Sequence, residues 1–206
     1  MENKKVHNRL KRVVIGITGA SGVIYGIRLL KILKGLDMET HLIITEAAKK
    51  TILIETSFSV KDVEDMAHKV YQTEELAAPI SSGSYKTEGM IVVPCTIKTL
   101  SGVAHSFNEN LLIRAADVTL KERRRLILVV RETPLHKGHL TLMQKVAELG
   151  GVILPPVPAF YNLPKSIDDL IDQTLGKILD IMDIDHTLYK RWGGENKTEK
   201  KASKRR

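Results

Sequence analysis

Five short runs of β-branched and apolar residues recur along this chain, each followed by a longer stretch of helical period, and few architectures accept that alternation. The runs are RVVIGIT at 12–18, THLIIT at 40–45, MIVVP at 90–94, LILVV at 126–130 and GVILP at 151–155. The segments after them are Tyr25 to Lys34, Ala47 to Thr56, a helical pair within Ile97 to Arg124, His139 to Leu149, and Ile167 to Met182. Strand followed by helix, five times over, predicts an α/β fold: a single-domain, Rossmann-like (flavodoxin-like) open parallel sheet with helices on both faces. MIVVP and LILVV are almost continuously apolar, as strands covered on both faces are. Ligands of such sheets bind outside the carboxyl ends of the strands, at the switch point in strand order. Attention falls on the loops there: TGASG, TEAAK, PCTIKT, RETPLHKGH and PPVPAFYNLP.

A length of 206 residues suits one buried core. The formal charge of +8 suggests a nucleic-acid partner only until it is located. Residues 1–12 carry five Lys/Arg against one Glu, and residues 193–206 carry six against two, which leaves 21 basic and 21 acidic side chains between them. The expected organisation is a basic N-terminal extension (1–12), a folded domain (13–192) and a basic, disordered C-terminal tail (193–206). Charge confined to mobile ends is not the basic face that nucleic-acid binding requires. A single cysteine, Cys95, forms no internal disulfide. With neither a signal peptide nor an apolar run of membrane-spanning length, the expectation is a cytoplasmic protein without a membrane span.

The most specific local feature is VVIGITGASGVIYGIRLL, residues 13–30. A strand that turns through glycines into a helix points backbone N–H groups at whatever sits above the turn. Gly16, Gly19 and Gly22 are spaced G-x-x-G-x-x-G, which is not the dinucleotide fingerprint, and no Lys-Ser/Thr follows to make a phosphate loop. Val23 stands where a nucleophile elbow needs glycine. Ser21 has two readings, as N-cap of the first helix and as a hydrogen-bonding partner of a ligand, and one hydroxyl can serve both.

Other groupings are weighed the same way. DDLID (Asp168, Asp169, Asp172) spells a pattern that holds magnesium on a prenyl diphosphate. Here it opens the last helix behind Ser166, where capping and the helix dipole explain the acids. His136 and His139 lack a third ligand at recognisable spacing, so no metal site is expected. Cys95, after a buried strand, reads as a small apolar filler. Lys121 and Arg123 to Arg125 close a helix, where cations suit the negative end. Arg131 and Glu132 follow a buried strand directly. With Tyr161 at another strand end and Lys177 on the last helix, they form a candidate anion-binding set, Glu132 handling protons.

Taken in order, GITGASGVIYGIRLL, SSGS, PCTIKTLSG, RAADVTLKERR, RETPLHKGH, PPVPAFY and RWG resemble the UbiX family of flavin prenyltransferases, from about Val13 to Gly193. The resemblance implies transfer of a dimethylallyl group from dimethylallyl monophosphate to N5 and C6 of reduced FMN. FMN is then a substrate and prenylated FMN the product, destined for UbiD-type decarboxylases. Gly19, Ala20 and Ser21 correspond to the flavin-binding corner, with Ser21 at the reacting edge. Thr45 and Thr96 stand where many relatives have serine, and flavin binding is expected from Thr45, the run Thr96, Ile97, Lys98 and Thr99, and Arg131. Lys121, Glu132, Tyr161 and Lys177 match donor-phosphate and catalytic positions, and Glu55 an acidic active-site position. Many relatives carry arginine at Lys177, and lysine keeps the charge without the bidentate fork. Arg125 replaces a common proline. Ser82, Gly83 and Ser84 resemble the segment that closes over the prenyl chain. A homododecamer with sites near subunit interfaces is implied.

Catalysis by this set needs no metal, because cations and a phenol stabilise the departing phosphate. Two alternatives use the same flavin corner. An FMN-dependent decarboxylase, acting on cysteine with a histidine base, has little need of the cluster Lys121, Arg131, Tyr161 and Lys177. A decarboxylase accessory subunit or flavin carrier has no need of Glu132.

Overall fold

A computed structural model describes residues 11–191. The expected tails, apart from Lys11 and Arg12, and the Trp-Gly of RWG lie outside these residues. The chain forms two compact units, one running through Val157 and the other starting at Pro158.

Among the described residues, the first unit holds six parallel strands: β1 (Arg12–Ile17), β2 (Glu39–Ile44), β3 (Lys69–Tyr71), β4 (Gly89–Cys95), β5 (Arg125–Val130) and β6 (Val152–Ile153). Their order is β3-β2-β1-β4-β5-β6, so the chain reverses direction across the sheet between β1 and β4. Its helices are α1 (Val23–Gly35), α2 (Glu46–Glu55), α3 (Val60–Glu64), α4 (Ile97–Ala104), α5 (Leu111–Lys121) and α6 (Lys137–Glu148). The five strands read from the sequence are present. β3 and α3 were not expected: three residues, Lys-Val-Tyr, are too few to show a period, and α3 has five.

Every residue of β4 is buried, as its unbroken apolar run requires. Val14, Ile43, Met90, Val92, Leu126, Leu128 and Val130 share one face with Leu100 and Val103 of α4, Leu112 and Ala116 of α5, and Val146 of α6. The alternate residues Ile15, Ile17, Ile91 and Val129 lie on the other face, which α1 covers with Ile27, Leu30 and Leu33. Each such side chain contributes roughly 1.5–3 kcal/mol by leaving water.

The amino edge of the sheet carries a polar network. Arg12 Nε donates to Glu39 Oε2 at 2.9 Å, His41 Nε2 lies 3.0 Å from Glu39 Oε1, and His41 Nδ1 lies 2.9 Å from the Tyr71 hydroxyl. The Tyr85 hydroxyl approaches His41 Nε2 at 3.3 Å, and Arg12 covers the Tyr85 ring at 4.7 Å. Burial lowers the His41 pKa and outweighs the opposing pull of Glu39, while burial first of all pushes the Tyr71 phenol up to about 12.

The second unit holds α7 (Ile167–Ile181), opened by a reciprocal capping box between Ser166 and Asp169. Near its end, Asp180 accepts hydrogen bonds from His186 at 3.1 Å, Tyr189 at 2.5 Å and Arg191 at 2.6 Å, folding the following segment back along the helix.

Candidate functional site

The loops after β1, β2, β4 and β5 all open at the carboxyl edge, around the switch point. The glycine corner comes first. Gly22 takes the N-cap position of α1 with φ 95°, a left-handed conformation suited to glycine, and supplies no side-chain cap. Glu55, the last residue of α2, accepts the Gly22 N–H at 2.7 Å. The Ser21 hydroxyl and the Val23 amide bind the same carboxylate. Burial opposes the charge on Glu55, but these three donors and the Arg131 guanidinium hold its pKa below the ordinary 4.5. Ser21 is therefore not the helix cap, which corrects one reading of the sequence. It is half of a hydroxyl–carboxylate pair at the positive end of α1, an arrangement able to hold or pass a proton.

Gly19 lies against α2. A Cβ there would stand 2.5 Å from Ala47 Cβ and 3.0 Å from its carbonyl carbon, so only glycine lets the corner close. Thr45 caps α2 by accepting the Ala48 N–H at 3.2 Å. Thr96 caps α4 in the same way through Thr99 N–H at 3.2 Å. The first-turn amides of Ile97 and Lys98 have no intrahelical carbonyl to bond and face an anion favourably. Lys98 pairs with Glu109 at 3.6 Å. Arg131 and Glu132 are exposed beyond β5, and Glu132 accepts the Thr133 N–H at 3.0 Å.

Gly19, Ala20, Ser21, Thr45, Glu55, Thr96 to Thr99, Arg131 and Glu132 thus share the carboxyl edge of the first unit. Ser82, Gly83, Ser84 and Lys121 do not. The serine loop precedes β4 and Lys121 precedes β5, at the amino edge, and the six residues of β5 separate Lys121 from Arg131 by about 20 Å. There Arg124 grips the Gly83 and Tyr85 carbonyls at 2.6 and 2.8 Å, the Ser82 and Ser84 hydroxyls meet at 2.9 Å, and Lys121 pairs with Glu122. Tyr161 and Lys177 belong to the second unit, where the Lys177 ammonium lies 6.0 Å from the Tyr189 ring centre. Tyr161 is 45 % exposed.

The remaining groupings have structural occupations. Asp169 accepts the Lys165 and Ser166 amides at 2.7 and 3.0 Å. His136 caps α6, its Nδ1 accepting the Gly138 N–H at 3.0 Å, and its ring lies tilted against that of His139, with centroids 3.6 Å apart. Cys95 is buried, and burial pushes its thiol pKa up, away from nucleophilic use. One residue escaped the sequence reading. Thr18 is buried between the corner and the PCTIKT loop, and its only signal was a hydroxyl closing an otherwise apolar strand.

Two capped helix starts, an arginine and a close-packed glycine corner at a Rossmann switch point fit a phosphate-bearing planar ligand. The flavoprotein family matches residues 1–193, which defines the class of this fold and site. The chain is 56 % identical over 188 residues, 90 % of its length and 100 % of the relative's, to the flavin prenyltransferase UbiX of Salmonella typhimurium strain LT2. A crystal structure of AnUbiX (PadA1) in complex with FMN and dimethylallyl pyrophosphate matches with a TM-score of 0.90 at 48 % identity, covering 91 % of this chain and 100 % of that one. A dodecameric FMN-dependent UbiX-like decarboxylase from Escherichia coli O157:H7 matches with a TM-score of 0.87 at 42 % identity, covering 89 % and 100 %. The chain belongs to the UbiX family of flavin prenyltransferases.

Among the described residues no helix is long and apolar enough to cross a membrane.

Proposed function

We propose that this protein transfers the dimethylallyl group of dimethylallyl monophosphate to N5 and C6 of reduced FMN, giving prenylated FMN and inorganic phosphate. The observation that carries the reading is the 56 % identity, over the full length of the relative, to a protein named for flavin prenyl transfer. The decarboxylase and flavin-carrier alternatives have less support, because curated relatives at 53–56 % identity share that name. Reduced FMN supplies the nucleophilic ring atoms.

The chain's own residues do the rest. Gly19, Ala20 and Ser21 line the flavin edge. Because Glu55 already satisfies the start of α1, the flavin phosphate belongs at the start of α4, with Thr96 to Thr99, while Thr45 and Arg131 complete the cradle. Lys121, Arg131, Tyr161 and Lys177 stabilise the phosphate as it leaves with the electron pair of its C–O bond. Losing one such donor costs about 3 kcal/mol of barrier lowering. Ring closure at C6 releases a proton, for which Glu132 and the departing phosphate are the acceptors and the Ser21–Glu55 pair an adjacent relay. Holding both reactants in register supplies much of the remaining acceleration.

Lys121 and the serine loop reach this site only from another copy of the chain, since their own edge lies about 20 Å from the flavin corner. A homododecamer supplies such neighbours. The protein works in the cytoplasm, and its product passes to a UbiD-type decarboxylase.

The test is anaerobic. Purified protein is incubated with reduced FMN and either dimethylallyl monophosphate or the pyrophosphate, with chelator or with magnesium, and the released flavin is weighed by mass spectrometry. A gain of one C5H8 unit from the monophosphate with chelator is expected. Unmodified FMN in every arm, from protein shown to bind it, overturns prenyl transfer; a product only from the pyrophosphate with magnesium overturns the monophosphate mechanism.

A further inference from the structure

The ladder between β1 and β4 ends at the Gly16–Val92 pair, and the register of β4 against β5 slips between Val92 and Cys95. Pro94 lies inside that slip and has no N–H to offer a neighbour. The two loops that meet over the switch point, Gly19–Ser21 and Thr96–Thr99, therefore leave the sheet without regular ladder bonds between them. Thr18 replaces those bonds. Its hydroxyl donates to the Pro94 carbonyl at 2.8 Å and accepts the Thr96 N–H at 2.9 Å, and its backbone N–H reaches the same carbonyl at 3.3 Å. Thr18 is 1 % exposed, so water does not compete for these groups. One hydroxyl used in both directions bridges the proline gap and has no rotational freedom left.

The bridge extends further than its own contacts. Thr96, whose N–H Thr18 holds, donates its hydroxyl to Thr99 Oγ1 at 3.1 Å while capping α4. Between Pro94 and Thr96, the Cys95 carbonyl accepts the Arg131 N–H at 3.1 Å. The height of the α4 start relative to the glycine corner is thus held by this buried hydroxyl and the Thr18 backbone N–H, and the Cys95 carbonyl between them carries the root of Arg131.

We infer that Thr18 is a positioning residue of the flavin site: it touches no substrate but sets the spacing between the two loops that hold the flavin. The inference rests on the flavin-site reading above. Thr18→Val keeps the shape, strands the Thr96 N–H without a partner and leaves the Pro94 carbonyl only the longer bond from the backbone N–H of residue 18. Thr18→Ser keeps the hydroxyl, and Thr18→Cys keeps the volume with only weak hydrogen bonding.

Three quantities are measured on the full chain: the Kd for FMN, the visible spectrum of the bound flavin, and the thermal midpoint without flavin. The expected result is a loss of FMN affinity of about tenfold or more in Thr18→Val, with a shifted flavin spectrum, parent-like behaviour in Thr18→Ser and an intermediate Thr18→Cys. If Thr18→Val fails to fold, the Ser and Cys variants decide by the same ordering. A variant that melts earlier yet binds FMN within about twofold of the parent, with an unchanged spectrum, has lost only stability and overturns the inference. Equal losses in Thr18→Ser and Thr18→Val overturn it too. Failure of the parent to bind FMN at all is a different result, which removes the flavin-site reading and this inference with it.

Discussion

Gly19→Ala tests whether the glycine corner is set by its contact with α2. The added Cβ would lie 2.5 Å from Ala47 Cβ and 3.0 Å from the Ala47 carbonyl carbon, where carbon atoms rest at about 3.5–4.0 Å. Something must move by about 1 Å. α2 resists because both ends are tied, Thr45 capping its start and Glu55 bound to Gly22 of α1 at its end. Overpacking of this kind costs about 2 kcal/mol, which lowers the thermal midpoint of a domain this size by about 4–8 °C. Ala47→Gly alone costs up to about 1 kcal/mol in helix propensity but removes the shorter contact. The double variant is therefore expected to recover about 1 kcal/mol relative to the sum of its parts, with FMN affinity following the same pattern. Calorimetry and FMN titration of the four proteins measure this. Strict additivity, or a Gly19→Ala protein as stable as the parent, would refute the close-approach argument.

His41 makes the protein acid-sensitive. Its folded pKa lies below 6.5, so just below that pH the unfolded chain binds a proton that the folded chain refuses, and stability falls as pH drops. Glu39, with a folded pKa below 4.5, acts in the same direction further down. Urea midpoints at about pH 5.5 and about pH 7.5 should differ in the parent and differ less in His41→Asn; equal slopes would sink the assignment. Lys177→Ala should lower kcat/KM for the dimethylallyl donor by about 100-fold and Lys177→Arg should stay near the parent, with FMN affinity unchanged in both. Asp169→Asn should lower the thermal midpoint through the capping box while leaving prenyl transfer intact with or without magnesium; an activity loss restored by magnesium would return DDLID to the active site.

Strand alternation made the sheet legible, because each buried strand had to be apolar on both faces and each connection long enough for a helix. β3 stayed hidden: His41, Leu42 and Ile43 of β2 supply its pairing partners, and its own three residues carry no pattern. The carboxyl-edge residues were legible for the same reason as the strands they follow. What adjacency in sequence does not convey is which end of a strand a residue precedes in space. Lys121 and Arg131 are ten positions apart and both basic, yet β5 carries them to opposite edges. Ser21 shows a second limit. Its partner Glu55 lies 34 residues away, and only the packing of α2 beside the corner makes the carboxylate, rather than the hydroxyl, the cap of α1.

The placement of Lys121 and Arg131 on opposite edges has a genetic consequence. On the proposed reading, a chain lacking Lys121 still offers the whole carboxyl-edge corner, and a chain lacking Arg131 still offers Lys121 and the serine loop at its amino edge. On the proposed mechanism, each variant assembled alone lacks one phosphate-binding cation at every site, at a cost of about 3 kcal/mol of barrier lowering. If the proposed site is shared between copies, a Lys121→Ala chain and an Arg131→Ala chain mixed in one assembly would meet at some interfaces with both sound halves facing each other, and two impaired alleles would complement.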